Sequence, residues 1–253
     1  MAEFHNREKR SKPTLIIGRQ PLIEAISSGR PIEKILFQRN VSGESIGEIR
    51  KLAKLNAIPI QQVPPEKMNS LTKANHQGVI AFAGLVQYLE LQQVIDHVIA
   101  EGKSPLFVML DGVTDVRNIG AIARTAVCCG AQAIIIPDKG TGALNEEAMK
   151  SSAGALERIH VCRVNSLVKA IDEMHLNGIR VFTTGMTHAT MVYEVDYKVP
   201  CCIIMGNEEN GVQPHLVKAA DEKISIPMAA EFDSFNVSVA TAIILYEAMK
   251  QRL

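Results

Sequence analysis

The stretch LFVMLDGVTDVRNIGAIARTA, residues 106–126, predicts the fold of the longer part of the chain. Its first five residues are all apolar, which is typical of a strand covered on both faces. A polar turn follows, and Ile119, Ile122 and Ala126 then recur at the spacing of one helix face. A buried strand that leads through a turn into a helix indicates an α/β fold with a mainly parallel sheet.

The helix in this stretch has an arginine among small residues. We interpret Asn118 as its N-cap, whose side chain would accept hydrogen bonds from the amides of the first turn. Gly120 and Arg124 are four residues apart and share a helix face, so Gly120 is expected to leave room for a ligand beside the guanidinium. On this segment alone, two interpretations of Arg124 stay open: an exposed surface charge and a functional group.

The rest of the second half repeats this pattern. Five further apolar runs predict strands, with helical stretches between nearly all of them: AQAIII (131–136), HVCRV (160–164), IRVFTT (179–184), CCIIM (201–205) and KISI (223–226). Parallel sheets bind their ligands beyond the carboxyl ends of the strands. A site is therefore expected in the loops that follow LFVML, IRVFTT, CCIIM and KISI.

The first half of the sequence predicts a smaller α/β unit. Short apolar runs alternate with amphipathic stretches from Leu15 to about Val86, which is close to the smallest size of a self-sufficient domain. We expect four segments: a flexible arm over residues 1–12, a small domain over 13–86, a linker helix over 87–104 and a second domain over 105–253.

Composition and charge exclude several classes of protein. The 253 residues have zero net charge, and no apolar run approaches the ~20 residues of a membrane-spanning helix. The polar start does not resemble a secretory signal. The five cysteines lack metal-ligand spacing, and their odd number argues against a disulfide framework. We therefore expect a cytoplasmic protein without a bound metal ion. Residues 1–60 carry 11 Lys or Arg against 6 Asp or Glu. This excess indicates either contact with nucleic acid or a chance bias of a solvated surface.

Two further loops after predicted strands carry polar residues. CCIIM is followed by GNEENG, residues 206–211, whose two glycines allow close backbone approach and whose Glu208 is placed to receive a hydroxyl or an amine. This loop matches neither a P-loop nor the dinucleotide pattern GxGxxG. The second loop follows KISI and ends at Asn236, which is interpreted as the N-cap of the last helix. That helix is apolar around much of its circumference, which favours an oligomer.

Taken together and in this order, the loops resemble the three motifs of the SpoU/TrmH family of RNA ribose methyltransferases, in the SPOUT class. DGVTDVRNIGAIARTA resembles the first motif, CIIMGNEENGV the second and ISIPMAAEFDSFNVSVATAIILYEA the third. IIGRQPLIEAI and HQGVIAFAG resemble the small ribosomal-protein-like substrate domain of the subgroup that methylates guanosine in 23S ribosomal RNA. The resemblance covers the chain from about Leu15 to its end.

The resemblance implies 2′-O-methylation of a ribose with S-adenosylmethionine as the methyl donor. The residues that match the family's catalytic positions are Asn118, Arg124, Glu208, Ser234 and Asn236. Those that match its cofactor cradle are Thr184, Gly185, Gly206, Ile226, Met228 and Phe235. The motifs differ from the family pattern at two points, because Phe235 replaces the usual leucine and DVRN replaces the more common Asp-Pro-x-Asn.

The resemblance also implies an α/β trefoil-knot domain over residues 105–253 and a homodimer in which the partner chain completes the active site. The expected partner is 23S ribosomal RNA, with no membrane and no metal ion involved. The nearest alternative is the same reaction on transfer RNA. A non-catalytic RNA-binding or ribosome-assembly protein would have lost a motif, and an oxidoreductase with a nucleotide cofactor would carry the missing glycine fingerprint.

Overall fold

The computed structural model describes residues 14–141, 144–185, 189–207, 209–229 and 234–253. The expected arm over residues 1–12 and the candidate catalytic residue Glu208 lie outside the described residues. Across the described ranges, no helix is long and apolar enough to cross a membrane.

The first part of the chain folds into a four-stranded sheet with helices packed on it. Its elements are β1 (Leu15–Ile17), α1 (Arg19–Ser27), β2 (Ile32–Gln38), α2 (Glu44–Leu55), β3 (Ile60–Val63), α3 (Pro65–Leu71) and β4 (Val79–Ala83). The strand order is β1-β4-β2-β3, in which β2 and β3 are parallel and the other neighbours antiparallel. Helices α1 and α2 cover a core that includes Leu22, Ile35 and Ile49.

The second part of the chain builds an eight-stranded sheet. Its strands are β5 (Tyr88–Leu89), β6 (Leu106–Leu110), β7 (Ala133–Pro137), β8 (His160–Val164), β9 (Arg180–Thr184), β10 (Thr190–Met191), β11 (Cys201–Met205) and β12 (Glu222–Ser225). Its helices are α4 (Leu91–Ala100), α5 (Val116–Cys128), α6 (Glu146–Ser152), α7 (Leu167–Leu176), α8 (Pro214–Ala219) and α9 (Val237–Arg252). The strand order is β10-β12-β9-β11-β6-β7-β8-β5, and each of these pairings is parallel. The strands predicted in this half are all present, which confirms the mainly parallel sheet.

Alternate residues of the central strands face two different cores. In β6, Leu106, Val108 and Leu110 belong to the core under α5 and α9. Phe107 and Met109 belong to the core under α4, α7 and α8. Because both faces of the sheet are covered, the central strands β6 and β11 are apolar along their whole length and show no polar alternation.

Helix α4 packs on the eight-stranded sheet. Its buried apolar residues, which lie between Leu91 and Val98, share a core with β6, β7 and β11. The two parts of the described chain have separate cores, because the apolar clusters of the first part contain no described residue after Ala83 and those of the second contain none before Val86. The joint between the two parts therefore has no shared apolar core.

The C-terminal end of α9 is anchored by Arg252. Its guanidinium donates to the carbonyl oxygens of Tyr197, Ser104, Pro105 and Val199 at distances between 2.7 and 2.9 Å. These carbonyls precede β6 and β11, so the arginine ties the last helix to the amino edge of the sheet. The N-terminal end of α9 reaches the opposite edge, where the strands end.

Candidate active site

The loops that follow β6 and β11 are joined by the side chains of Asp111 and Asn207. Asp111 is 2% exposed, and its carboxylate accepts from the backbone N–H of Gln213 at 2.7 Å and from Gln213 Nε2 at 2.6 Å. Asn207 Nδ2 donates to the carbonyl oxygen of Gly112 at 3.0 Å. A buried carboxylate requires such partners, so these hydrogen bonds hold the two strand ends in one arrangement.

The loop after β11 closes tightly around Gly206. Asn207 and Gly211 exchange backbone hydrogen bonds of 3.2 and 2.8 Å, and Asn207 Oδ1 accepts from the amides of Glu209 and Asn210. A Cβ on Gly206 would overlap the carbonyl carbon of Gly211 and lie 2.5 Å from its oxygen. Only glycine fits at this position, because the overlapping atoms are backbone and cannot rotate away.

A cavity of about 400 Å³ lies beside this loop, at the carboxyl edge of the sheet. All the residues that match the family's cofactor cradle line it: Thr184, Gly185, Gly206, Ile226, Met228 and Phe235. Ser234, which matches a catalytic position, lines it too. The structure thus brings together residues from three separate loops, in a volume that is ordinary for small-molecule sites.

The cavity combines apolar walls with a polar rim. Ile226, Phe235 and Ile244 offer apolar surface suited to a planar ring. The hydroxyl of Thr184 donates to the carbonyl oxygen of Ile204 at 3.1 Å, which holds two neighbouring strand ends together. The arrangement can therefore bind a ligand that has both a flat apolar group and polar substituents.

Asn207, Asn210 and Lys223 are among the polar residues of the cavity that the sequence reasoning missed. Asn207 and Asn210 lie between the two glycines of GNEENG, so their position in that loop was an available signal. Lys223 lies within β12, and a lysine inside a strand gives no local indication that it borders a cavity.

Asn236 is the N-cap of α9, as predicted, and it also contacts the first motif. Its Oδ1 accepts from the backbone N–H of Ser238 at 3.0 Å, while its Nδ2 donates to Asn118 Oδ1 at 3.3 Å. Two residues that match catalytic positions, 118 positions apart in sequence, are thus within hydrogen-bonding distance. The beginning of α9 and the beginning of α5 meet at the edge of the sheet.

The interpretation of Asn118 as the N-cap of α5 is wrong. The cap is Asp115, whose Oδ1 accepts from the backbone N–H of Arg117 at 2.9 Å. Hydrogen bonds from the side chain and the backbone of Arg117 lower the pKa of this aspartate. Because the helix begins three residues earlier than predicted, Asn118 lies in the first turn, where its side chain contacts Asn236.

Arg124 stands apart from the cavity of its own chain. It is exposed, it has no hydrogen bond or ion pair with the residues that the structure describes, and it is not among the residues that line the cavity. Six positions separate it from Asn118, which is roughly 9 Å along the axis of α5 and a different face. One chain alone therefore does not place the guanidinium at the cavity.

Gly120 packs against α6, which corrects the expectation that it leaves space for a ligand beside Arg124. It is buried, and a Cβ at this position would overlap Ser151 Oγ and lie 2.6 Å from the carbonyl oxygen of Ala148. Helix α6 follows only after β7, so the local sequence gave no sign that a helix crosses here. The glycine allows α5 and α6 to approach closely.

Gly120→Ala is expected to lower the free energy of unfolding by about 3 kcal/mol, the upper end of the usual cost of overpacking. The overlap involves backbone atoms of α6, which move only if the helices separate. Gly47→Ala is the matched control, because Gly47 is an exposed glycine inside α2 with no atom within 4 Å of an added Cβ. It should raise the stability by about 1 kcal/mol. Urea unfolding followed by circular dichroism measures both, and equal stability of the two variants would contradict the packing role.

The outer side of α9 carries an apolar stripe at the surface of the chain. Val239 is 47% exposed and Tyr246 is 59% exposed, and Ala242 and Ile243 lie between them, half-buried. These residues follow the spacing of one helix face. The opposite side of the helix is buried in the core through residues that include Ile244 and Leu245.

Comparisons with known families and proteins agree with this geometry. The SpoU rRNA Methylase family matches residues 105–246, and the family described as RNA 2′-O ribose methyltransferase substrate binding matches residues 15–89. A relative from Staphylococcus aureus strain MSSA476, named as a TrmH family tRNA/rRNA methyltransferase, is 36% identical over 239 residues, which is 94% of this chain and 96% of the relative.

Two solved structures have a similar fold. The SpoU methyltransferase AviRb from Streptomyces viridochromogenes, in complex with S-adenosylmethionine, is 25% identical with a TM-score of 0.61, over 98% of this chain and 94% of that chain. The TrmH/SpoU tRNA modifying enzyme of A. aeolicus is 31% identical with a TM-score of 0.53, over 64% of this chain and 84% of that chain. The expected fold class, enzyme class and cofactor are thereby confirmed. The chain belongs to the SpoU family of RNA 2′-O-ribose methyltransferases, which use S-adenosylmethionine as the methyl donor.

Proposed function

We propose that this enzyme methylates the 2′-hydroxyl of a guanosine in 23S ribosomal RNA. The observation that carries the proposal is the single cavity that gathers the cofactor-cradle residues of three loops next to the Asn118–Asn236 pair. The small first domain supports ribosomal RNA as the target, because its sequence resembles the subgroup that modifies that RNA. Such a substrate would place the enzyme in the cytoplasm.

The residues of the cavity fit S-adenosylmethionine. Because Gly206 has no Cβ, the backbone of Gly211 and Val212 packs directly against it, and all three residues line the cavity. Ile226 and Phe235 suit the adenine ring, and Asn207 and Ser234 suit the polar groups of the ligand. When bound, the cofactor supplies an electrophilic methyl group.

The role proposed for Arg124 is stabilisation of the ribose oxygen as it loses its proton. A hydroxyl is a weak nucleophile, and negative charge develops on its oxygen during the attack. A guanidinium stays protonated throughout the ordinary pH range, so Arg124 stabilises that charge and orients the adjacent phosphate but does not act as a base. The proton leaves to water or to Glu208. Asn118 and Asn236 position the ribose.

The active form proposed here is a homodimer in which Arg124 of one protomer serves the cavity of its partner. Two observations support this arrangement. Arg124 is exposed and lies away from the cavity of its own chain. The apolar stripe that contains Val239 and Tyr246 lies on α9, which packs against α5, so a partner covering the stripe would come close to Arg124.

The RNA is proposed to contact one end of the four-stranded sheet. Arg19, Arg39 and His76 lie at this end, where β1 and β2 finish and β4 begins. The loops here are held in fixed shapes, with Arg19 Nε donating to the carbonyl oxygen of Gln77 at 3.0 Å and Asn40 at a φ of 61°. Fixed basic groups of this kind suit recognition of the shape and phosphates of folded RNA.

Transfer RNA is the second candidate substrate. The S. aureus relative is named as a tRNA/rRNA methyltransferase, and the A. aeolicus neighbour is named as a tRNA modifying enzyme. Methylation of separated ribosomal and transfer RNAs distinguishes the two candidate substrates.

Incubation of the enzyme with methyl-labelled S-adenosylmethionine and separated RNAs tests the proposal. We expect label in 23S ribosomal RNA, at one guanosine ribose that becomes resistant to alkaline cleavage, and far slower labelling with the Arg124→Ala variant. Label in transfer RNA alone would establish the second candidate. Label in neither RNA would contradict the proposed function.

A further inference from the structure

The two parts of the chain are joined by polar contacts that converge on Glu33. Each part has its own apolar core. Between described residues of the two parts, the side-chain hydrogen bonds all involve Glu33 of β2, and their partners are Tyr88 of β5 and Arg163 of β8. The relative orientation of the two sheets therefore depends on very few groups.

Arg163 makes a buried two-point contact with Glu33. Its Nη2 lies 2.8 Å from Glu33 Oε1, and its Nη1 donates to the carbonyl oxygen of Glu33 at 2.7 Å. The side chains are 7% and 20% exposed, respectively. A planar guanidinium that binds both a carboxylate and a carbonyl fixes direction as well as distance.

Tyr88 completes the cluster from a third side. The Arg163 guanidinium carbon lies 3.4 Å from the centre of the Tyr88 ring, and the Tyr88 hydroxyl donates to Glu33 Oε2 at 2.9 Å. Burial raises the pKa of this hydroxyl far above its ordinary value, and the charge of Glu33 adds to the rise, so the group remains a donor. Each of the three side chains therefore contacts the other two.

Such a cluster favours a single arrangement of the two domains. A buried charge without a partner destabilises the folded state. Rotation of one sheet against the other would separate Glu33 from Arg163 and leave both charges unpaired and shielded from water. A cleft of about 260 Å³ lies beside the cluster, between residues that include Pro59 on one side and Ser166 on the other. The joint is thus bordered by a cleft, and the described residues of the two parts share no apolar core across it.

We propose that Glu33, Arg163 and Tyr88 form an interdomain latch whose function is to position RNA. The latch sets the direction from the RNA-contacting end of the first domain to the cavity at the edge of the second. The three side chains are positioning residues and do not touch the reacting atoms. This inference rests on the proposed function, because it assumes that the first domain holds the RNA that the second methylates.

Glu33→Gln and Arg163→Lys test the latch in the full-length protein. Glu33→Gln keeps the shape and removes the charge, and Arg163→Lys keeps the charge and removes the planar fork. We expect small-angle X-ray scattering of the RNA-free variants to show a broader distribution of interdomain distances, and calorimetry to show that the two domains unfold separately. The kcat/KM for RNA should fall on the order of 10- to 100-fold, as for other misplacements of reacting groups. The affinity for S-adenosylmethionine should stay unchanged.

Glu222→Gln is the matched control, because it removes the charge of an ion pair, with Arg180 at 3.0 Å, that lies within the second domain. It should alter neither the scattering nor the kcat/KM for RNA. If Arg163→Lys does not fold, Tyr88→Phe decides instead, since it removes one hydroxyl and should give a smaller change of the same kind.

A loss of thermal stability with unchanged scattering and unchanged kcat/KM would overturn the latch and leave only a structural role. If the parent enzyme methylates no RNA, the proposed function fails, whereas the scattering of the RNA-free variants still decides whether the cluster fixes the domains.

Discussion

Arg124→Ala is expected to reduce kcat on the order of 10²- to 10³-fold, the usual cost of removing a group that stabilises developing negative charge. The affinity for S-adenosylmethionine should not change, because the groups that Arg124 is proposed to contact, the ribose oxygen and a phosphate, belong to the RNA. Stability should also change little, since the guanidinium is exposed and makes no hydrogen bond or ion pair within the described part of the chain. Single-turnover methylation of RNA measures the first effect, and calorimetric titration measures the second.

Arg124→Lys separates charge from geometry. Lysine keeps the positive charge and loses the planar fork, so an intermediate loss is expected if the residue contacts both the ribose oxygen and a phosphate. Turnover close to that of the parent would show that the fork is unnecessary.

Mixing variants tests whether the active site is shared between protomers. Arg124→Ala supplies an intact cavity, and Gly206→Ala supplies an intact arginine. If one site contains a cavity from one protomer and Arg124 from its partner, equal mixing restores about a quarter of the parent activity, because half of the dimers are mixed and each has one intact site. Activity that stays at the level of the single variants would contradict the shared site.

Gly206→Ala is expected to weaken S-adenosylmethionine binding on the order of 100-fold, because the backbone of the loop must move by about 1 Å or more to admit a Cβ. The added carbon would overlap the carbonyl carbon of Gly211 and the nitrogen of Val212, both of which border the cavity. Calorimetric titration with S-adenosylmethionine measures the loss.

Gly185→Ala is the comparison within the same cavity. The three described atoms nearest to an added Cβ there all belong to the side chain of Lys223, and a long side chain can shift more easily than backbone. A much smaller loss of affinity is therefore expected. Equal losses for the two variants would show that the cavity is sensitive to any added carbon, and would contradict the particular role of the Gly206 backbone.

Local signals in the sequence were sufficient for the strands and for one of the helix caps. The run LFVML is apolar because both of its faces are buried, and that property is visible in five consecutive residues. Asn236 is followed directly by the helix it caps, and the hydrogen bond that makes it a cap spans only two residues, to Ser238. Such features depend on neighbours in the chain, so the pattern alone predicts them.

The start of α5 shows where local signals are ambiguous. Asp115 and Asn118 are both suitable caps, three residues apart. The side chain of Asp115 bonds to the amide of Arg117, whereas that of Asn118 bonds to Asn236, which is far away in sequence. Which of the two residues caps α5 therefore depends on the contact between Asn118 and Asn236, and the residues around α5 alone do not reveal that contact.

The sequence by itself determined the succession of strands and helices, the residues of the three loops and the family to which they belong. Only the tertiary structure decided what those residues face. Gly120 meets α6 rather than a ligand, and Arg124 does not line the cavity of its own chain. Glu33 pairs with Arg163, 130 positions later. The physical reason is that hydrophobic periodicity reports which side of an element is buried, whereas the identity of the neighbour depends on how distant elements pack.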